Sequence, residues 1–353
     1  MNLWLYIFKR ILLMLPTLFG VVAITFAVIQ FVPGGPVEQA LMELKKGQVG
    51  TGETSGGGAS QYRGRQGIDA ERVAEIKKLY GFDKPAPERF WQMLKGFATF
   101  DLGKSFYHHG DVWQLVKSKM PVSITIGLWT FFLTYFISVP LGIAKAVREG
   151  SRFDAITSML VLIGYSIPGF VLGVLLLVLF GGGSFFQWFP LRGLTSDDWD
   201  SLSLFGKITD YLWHITLPII ASVAGSFAVM TMLTKNTFLE EIRKQYVLTA
   251  RAKGLSEKRV LYKHVFRNAL IPLVTGFPAA FIGAFFAGSL LIETLFSLDG
   301  LGLLSYESVI RRDYPVVMGT LYLFTLIGLV VKLLGDLCYV WADPRVQFES
   351  LAR

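Results

Sequence analysis

The sequence predicts an all-α polytopic membrane protein with six transmembrane helices and a large extracytoplasmic insertion between helices 1 and 2. Hydrophobic residues make up 52% of the 353 residues, and the mean hydropathy is +0.49. Charged residues make up only 17%, and they lie between long runs that carry no charge. This composition, with its uneven distribution of charge, is typical of a chain that crosses a bilayer several times.

The excess of positive charge, formally +8, indicates basic loops at the cytosolic face of a membrane. No DNA- or RNA-binding motif accompanies this charge, so we expect no nucleic-acid partner. The single cysteine, Cys338, excludes an intrachain disulfide and a cysteine-rich metal site. We interpret it as a small apolar residue in a membrane helix.

The first 30 residues predict an uncleaved transmembrane helix whose N-terminus is cytosolic. Lys9 and Arg10 precede an apolar run that is long for the core of a signal peptide, and no small-residue cleavage pattern follows it. Pro16 is expected to kink this helix.

Residues 31–118 are more polar and predict the extracytoplasmic insertion. Residues 47–67 are rich in Gly, Ser and Thr, which is typical of a flexible segment. Residues 70–79 and 90–97 have the pattern of short amphipathic helices. We expect this insertion to form a small subdomain.

Two motif-like stretches in the insertion do not predict a ligand site. Residues 98–105, ATFDLGKS, fit a loose P-loop pattern, but Ala98 replaces its first glycine and the predicted location is outside the cell. His108 and His109 are adjacent and lack other metal ligands nearby, so we do not expect zinc binding there.

Residues 119–342 form the predicted five-helix core, and residues 343–353 form a cytosolic tail. Pro168 and Gly169 interrupt the third helix, and such a break must be buried in protein or line a cavity. The sequence leaves pathway lining and ordinary helix packing equally open for this break. The five helices are expected at about 120–144, 156–180, 211–234, 268–292 and 316–340, each long enough to span a bilayer.

Other features of the core each allow two interpretations. Small residues recur every fourth position at Gly276, Ala280 and Ala284, so another helix can approach closely, either in a partner protein or at a pore. Lys332 and Asp336 lie i, i+4, which favours a local ion pair or snorkelling over a proton relay. The acidic cluster at residues 197–200 is interpreted as solvated charge rather than a metal site.

Residues 236–268 form the longest strongly charged stretch between two apolar runs and predict two short helices joined at Gly254. Thr237 and Glu240 have the spacing of a capping box at the start of the first helix. Gly254 stands where a helix commonly ends, and Ser256 is a suitable start for the second helix. By pattern alone, this is a basic cytosolic loop near anionic lipid.

The order of residues in this segment resembles the cytoplasmic coupling loop, or EAA loop, of ABC-importer permeases. That loop has Glu-Ala-Ala, three residues and Gly. Ala250 and Gly254 match the pattern, whereas Leu248 and Thr249 depart from it, and Phe266-Arg267 stands where Leu-Pro is usual. The stretch TARAKG at 249–254, followed by His264 and by RNAL at 267–270, is similar to the di- and oligopeptide branch, and within it to the Yej-type B subunits.

Similarity to this branch extends along most of the chain. The segments that carry it are VPG at 32–34, YGFDKP at 80–85, DLGKS at 101–105, GLGLL at 300–304 and YPVV at 314–317.

The resemblance implies a type I ABC-importer permease architecture and a subunit of an ATP-driven importer of peptides or peptide-like compounds. It places the chain in the bacterial inner membrane as a multi-pass protein with both termini cytosolic. It implies no catalysis and no cofactor in this chain, since ATP–Mg is bound by partner subunits. The implied partners are a second related permease, ATP-binding subunits, an extracytoplasmic peptide-binding protein and membrane lipid.

The resemblance also assigns ATPase coupling to specific residues of the loop. Gly254 supplies the turn and Ala250 supplies close packing. Arg251, Lys253 and Arg259 supply polar docking contacts. His264 is the remaining residue of the predicted site.

Two other classes of function stay open from the residues alone. An ion-coupled secondary transporter would work without ATPase partners, but no buried carboxylate is evident in the membrane runs and no inverted repeat is evident. A membrane-embedded enzyme or assembly scaffold would retain its role without the coupling loop. No catalytic constellation is evident for the enzyme.

Overall fold

The computed structural model describes residues 3–31, 78, 82–108, 110–181, 185–286 and 290–342. The predicted flexible segment at 47–67, the helix predicted at 70–79 apart from residue 78, and the tail at 343–353 lie outside the described residues. So do the side chain of Ala284, His109 and the landmarks at 32–34 and 80–81.

Helices account for the regular structure of the described residues, together with one isolated β-bridge between Lys104 and Asp111. A short 3₁₀ helix covers Trp199–Ser201. In chain order the helices are α1 (Leu3–Phe31), α2 (Ala86–Ala98), α3 (Val112–Val147), α4 (Arg152–Ser166), α5 (Gly169–Phe180), α6 (Leu204–Ile242), α7 (Gln245–Ala252), α8 (Glu257–Ala269), α9 (Ile271–Phe286), α10 (Leu290–Leu295), α11 (Leu301–Ile310) and α12 (Tyr314–Ala342).

Four of these helices, α1, α3, α6 and α12, are each long and apolar enough to cross a membrane. Two bent pairs, α4 with α5 and α8 with α9, pass the same test together. The described residues therefore provide six spans when each bent pair counts as one, and the predicted all-α membrane fold is confirmed on that count.

The fourth predicted span is longer than expected at both ends. It does not end at residue 234, because α6 continues to Ile242. The capping box predicted at Thr237 is therefore wrong: Thr237 lies inside α6, and its hydroxyl donates to the Thr234 carbonyl at 3.1 Å. The physical reason is Phe238, which is fully buried and extends the packed face of α6 by another turn.

The break predicted at Pro168 is a sharp bend, because α4 and α5 meet at 92°. Gly169 begins α5 at a close approach to α6. A Cβ built on Gly169 would lie 2.7 Å from the Ala221 carbonyl oxygen. Only glycine allows this contact without displacement of one of the two helices.

The structure divides into two compact units, and the first comprises residues 1–14, 119–304 and 326–353. Within it α6 packs against both α4 and α5, and α10 packs against α5. One apolar core of this unit joins residues of α3, α5, α6 and α10 with two that follow α10: Ile126, Leu177, Ile215, Leu217, Ile219, Ala221, Ile292, Phe296 and Leu298.

The second unit comprises residues 15–118 and 305–325. Asp313 is buried there and accepts hydrogen bonds from the Ser105 hydroxyl and from the backbone N–H groups of Phe106, at 3.0 Å, and Tyr107, at 3.4 Å. The stretch that loosely matched a P-loop thus ends in contacts to Asp313 within the protein.

Candidate coupling site and membrane cavity

The predicted coupling loop folds around its own apolar core in the first unit. Ala250 of α7 is 6% exposed, and it lies in one core with Val247, Val260 and Val265. Ala146 of α3 and Phe238 of α6 belong to the same core, with Ala269 at the end of α8. The loop is therefore packed onto two of the long helices. A side chain larger than alanine at 250 would have to displace this packing.

Gly254 forms the turn between α7 and α8 in the left-handed conformation, with φ of +76°. A Cβ built there would have open space around it, so the backbone conformation and not crowding favours glycine. Arg251 reaches across the turn to Glu257 with two hydrogen bonds, of 2.7 and 3.2 Å. Arg251 therefore stabilises the turn. The sequence analysis did not predict this contact with Glu257.

The exposed side of the loop is basic. Lys253 follows the last residue of α7 and is exposed. Arg259 lines a shallow surface pocket with Ser256, which precedes α8, and with three residues of α8: Lys258, Tyr262 and Lys263. We call this surface the basic face of the loop. It offers positive charge and one aromatic ring to whatever docks there.

A π-helical stretch from Val260 to Val265 interrupts α8. The sequence analysis predicted an ordinary helix here. Val260 and Val265 are both fully buried, so the wider turn lets them share one core although they are five positions apart. Such stretches frequently occur at functional sites.

The Tyr246 hydroxyl connects α7 to residues on both sides of it in the chain. It donates to the Glu241 carboxylate at 2.6 Å and lies 3.4 Å from the His264 carbonyl oxygen. Burial, helped by the hydrogen bond to Glu241, raises the pKa of the Tyr246 phenol. Tyr246 therefore stays protonated and donates at neutral pH. His264 thus contributes its backbone carbonyl oxygen to this contact.

A cavity of about 780 Å³ lies among the helices of the first unit. Tyr165 and Phe170 line it from either side of the α4–α5 bend, and Gly169 lines it as well. The break therefore lines a cavity, and Gly169 also packs against α6. The wall is mostly apolar, with hydroxyl groups from five Ser and Thr residues: Ser123, Thr130, Thr134, Ser222 and Ser226.

Glu293 lines the same cavity and is fully buried. Its position just after the helix predicted at 268–292 did not indicate this burial. It accepts hydrogen bonds from the Ser123 hydroxyl, at 3.2 Å, and from the Leu303 amide, at 2.8 Å. Burial raises the pKa of the Glu293 carboxyl, although both donors favour its charged form. Gly300 lies so close that a Cβ there would be 2.5 Å from this carboxyl group.

Asp336 on α12 pairs with α1 and not, as predicted, with a neighbour on its own helix. It lies 2.9 Å from the Arg10 guanidinium and accepts a 2.8 Å hydrogen bond from the Tyr6 hydroxyl. The partners are more than 300 positions apart, so the i, i+4 spacing to Lys332 could not predict them. No group of three or more His, Cys, Asp or Glu residues that could hold a metal ion occurs among the described residues.

Comparison with known proteins gives the family. The family model described as "Binding-protein-dependent transport system inner membrane component" matches residues 138–348. The peptidoglycan transport system permease protein YejB of Agrobacterium fabrum is 54% identical over 98% of each chain. The inner membrane ABC transporter permease protein YejB of Escherichia coli is 53% identical over 98% of this chain and 99% of its own.

More distant relatives agree. The di/tripeptide transport system permease protein DppB of Pseudomonas aeruginosa is 31% identical over 98% of this chain and 99% of its own. An inward-facing structure of the MetNI methionine ABC transporter matches 65% of this chain and 97% of its own, with a TM-score of 0.50 and 18% identity, which is a likeness of fold. The chain belongs to the inner membrane components of binding-protein-dependent transport systems, as a multi-pass ABC-importer permease subunit of the Yej-type peptide permease branch.

Proposed function

We propose that this subunit imports peptides or peptide-like compounds and that residues 236–268 couple it to an ATP-binding subunit. ATP hydrolysis takes place on that partner, which binds ATP–Mg, and the chain described here contributes no catalytic group or cofactor. A second related permease completes the pathway, and an extracytoplasmic binding protein delivers the substrate. The names of the relatives, which refer to peptidoglycan and to di- and tripeptides, support this substrate class.

The observation that carries the proposal is the construction of the coupling loop. Its apolar side shares a core with α3 and α6, and its opposite side presents the basic face. A loop packed in this way transmits a push from outside to the long helices, because packed elements move as rigid bodies. ATP shifts the conformational equilibrium of the complex only if the closed arrangement of the ATP-binding subunits binds ATP more tightly than the open arrangement does.

The small-residue stripe on α9 supports a second permease as partner. A Cβ built on Gly276 would meet nothing within 4 Å. The helix is therefore open at Gly276 for close approach of another helix. We place both termini in the cytosol, with residues 31–118 outside as the surface that meets the binding protein.

Uptake by the reconstituted complex tests the proposal. Proteoliposomes that contain this subunit, its copurified partners and the binding protein are given an isotope-labelled digest of di- to hexapeptides, with mass spectrometry of the lumen as readout. We expect uptake that needs ATP and the binding protein. Uptake driven by a proton or sodium gradient without ATP would instead support a secondary transporter.

A further inference from the structure

Asp154 at the start of α4 lies between two lysine side chains that come from other helices. Lys145 of α3 is fully buried, and its Nζ lies 3.1 Å from Asp154 Oδ1. Lys235 of α6 donates to both carboxylate oxygens of Asp154 at 2.7 Å. One buried carboxylate therefore connects three helices.

Lys145 has further hydrogen-bond partners within this cluster. Lys145 also donates to the hydroxyls of Thr157, at 2.8 Å, and Ser158, at 2.7 Å. Separating either lysine from Asp154 leaves a charge buried without its counter-ion, which is strongly unfavourable. The cluster thus resists relative movement of the base of α4 against α3 and α6.

This cluster is continuous with the core of the coupling loop. Ala146, which follows Lys145, and Phe238, three positions after Lys235, are both members of that core. Gly142 packs so tightly on α6 that a Cβ there would lie 2.6 Å from Thr234 Cβ. The loop, the end of α3 and the end of α6 are one packed body, and the ion pairs attach α4 to it.

The other end of α4 reaches the membrane cavity, where Tyr165 lines the wall next to the α4–α5 bend. We infer that Asp154 is a positioning residue for transport: it makes α4 move with the coupling loop, so that displacement of the loop changes the cavity at Tyr165. This inference rests on the proposed docking of the loop to an ATPase.

A distance measurement within the complex tests this inference. Cys338 is the chain's single cysteine, so a Cys338→Ser background allows two nitroxide labels, at Gln245 of α7 and Ile163 of α4, both exposed. Their separation is measured by pulsed electron paramagnetic resonance in the complex, with and without ATP and vanadate. The subunit with intact Asp154 is expected to keep the same separation in both states.

Asp154→Asn is the test variant and Glu149→Gln is its matched control. Arg243 pairs with Glu149 at 2.8 Å and likewise joins the end of α6 to the α3–α4 turn, but both side chains are largely exposed, at 68% and 45%. We expect Asp154→Asn to shift or broaden the distance by about 2 Å or more on addition of ATP and vanadate, the size of common helix shifts. ATP hydrolysis should stay within about twofold, since the docking surface is intact.

Each outcome decides the inference. A separation that already changes in the subunit with intact Asp154, or an Asp154→Asn complex that behaves like the control, overturns it. Should Asp154→Asn not assemble, Lys235→Met keeps the Lys145 pair and is judged by the same criteria. A subunit with intact Asp154 that binds no ATPase overturns the proposed function itself, and this inference with it.

Discussion

At the scale of the residue, Gly254 is the position where the backbone most restricts the side chain. Its φ of +76° is strained for any β-branched residue. We predict that Gly254→Val leaves the protein in the membrane but reduces uptake per ATP hydrolysed at least about tenfold, because about 1–2 kcal/mol of strain distorts the turn between α7 and α8. Parallel assays of peptide uptake and ATP hydrolysis measure this ratio.

Gly254→Asn is the control, since asparagine adopts the left-handed conformation more readily than other residues. A built Cβ meets nothing at this position, so the variant should retain coupling. Equal loss of coupling in both variants would show that coupling depends on some property of residue 254 other than its backbone conformation.

The Tyr246 hydroxyl gives a second prediction at this scale. Tyr246→Phe removes the donor to Glu241 and should lower stability by about 1.5–3 kcal/mol, as expected for a hydrogen bond to a charged group. Thermal unfolding of the purified complex measures the effect. Tyr306→Phe is the control because its side chain is 51% exposed and lies outside the coupling loop. An unchanged melting temperature for Tyr246→Phe would mean that the hydrogen bond contributes nothing.

Single residues were predictable where the reason is local. The turn at Gly254 follows from backbone preference, and Ser256 precedes the observed start of α8 at Glu257. The partners of Asp154 and Asp336 were not predictable, because they come from other helices. Tyr246 and Glu293 were missed because burial, and not spacing in the sequence, makes them important.

At the scale of the element, the approach of α5 to α6 depends on Gly169. Gly169→Ala places a Cβ 2.7 Å from the Ala221 carbonyl oxygen, which is backbone and cannot rotate away. We predict a loss of about 1–3 kcal/mol, measured by thermal unfolding of the complex. Gly164→Ala on α4 is the control, because its Cβ meets nothing within 4 Å. Equal stability of both variants would contradict the tight packing.

Element existence was predictable from apolar runs, and element ends were not. All six predicted spans are present when each bent pair counts as one. The continuation of α6 to Ile242 depends on Phe238 entering a core that other helices build. The helix α11 was not predicted, because Gly300 and Gly302 are typical of a loop. In the structure the Leu301 amide at the start of α11 donates a hydrogen bond to the Ser123 hydroxyl of α3, a contact that the local sequence does not show.

At the scale of the whole molecule, we expect two parts of the insertion at 31–118, residues 47–67 and residues 105–107, to differ in their importance for uptake. Removal of residues 47–67, which lie outside the described residues, should leave uptake within about twofold, because a sequence rich in Gly, Ser and Thr is expected to tolerate changes of length. Asp313→Ala should reduce uptake, because the buried Ser105 hydroxyl and the backbone N–H groups of Phe106 and Tyr107 lose their acceptor. Uptake assays at matched membrane levels decide this. Loss of uptake in the 47–67 deletion would contradict the assignment of that segment.

The family follows from sequence, whereas the assembly does not. The order of residues at 249–270 resembled the peptide branch, and the relatives at 53% and 54% identity confirm it. Which residues line a passage depends on how separate helices fold together. The cavity wall could therefore be named only from the structure.

The most direct test of the central claim is to isolate this subunit from its native membrane in mild detergent, with mass spectrometry and an ATPase assay of what accompanies it. The account predicts a second multi-span permease, ATP-binding subunits and measurable ATP hydrolysis, with association weakened when Arg259→Glu and Lys263→Glu reverse charges on the basic face. Recovery of this chain alone, without ATPase activity in several detergents, would contradict the account.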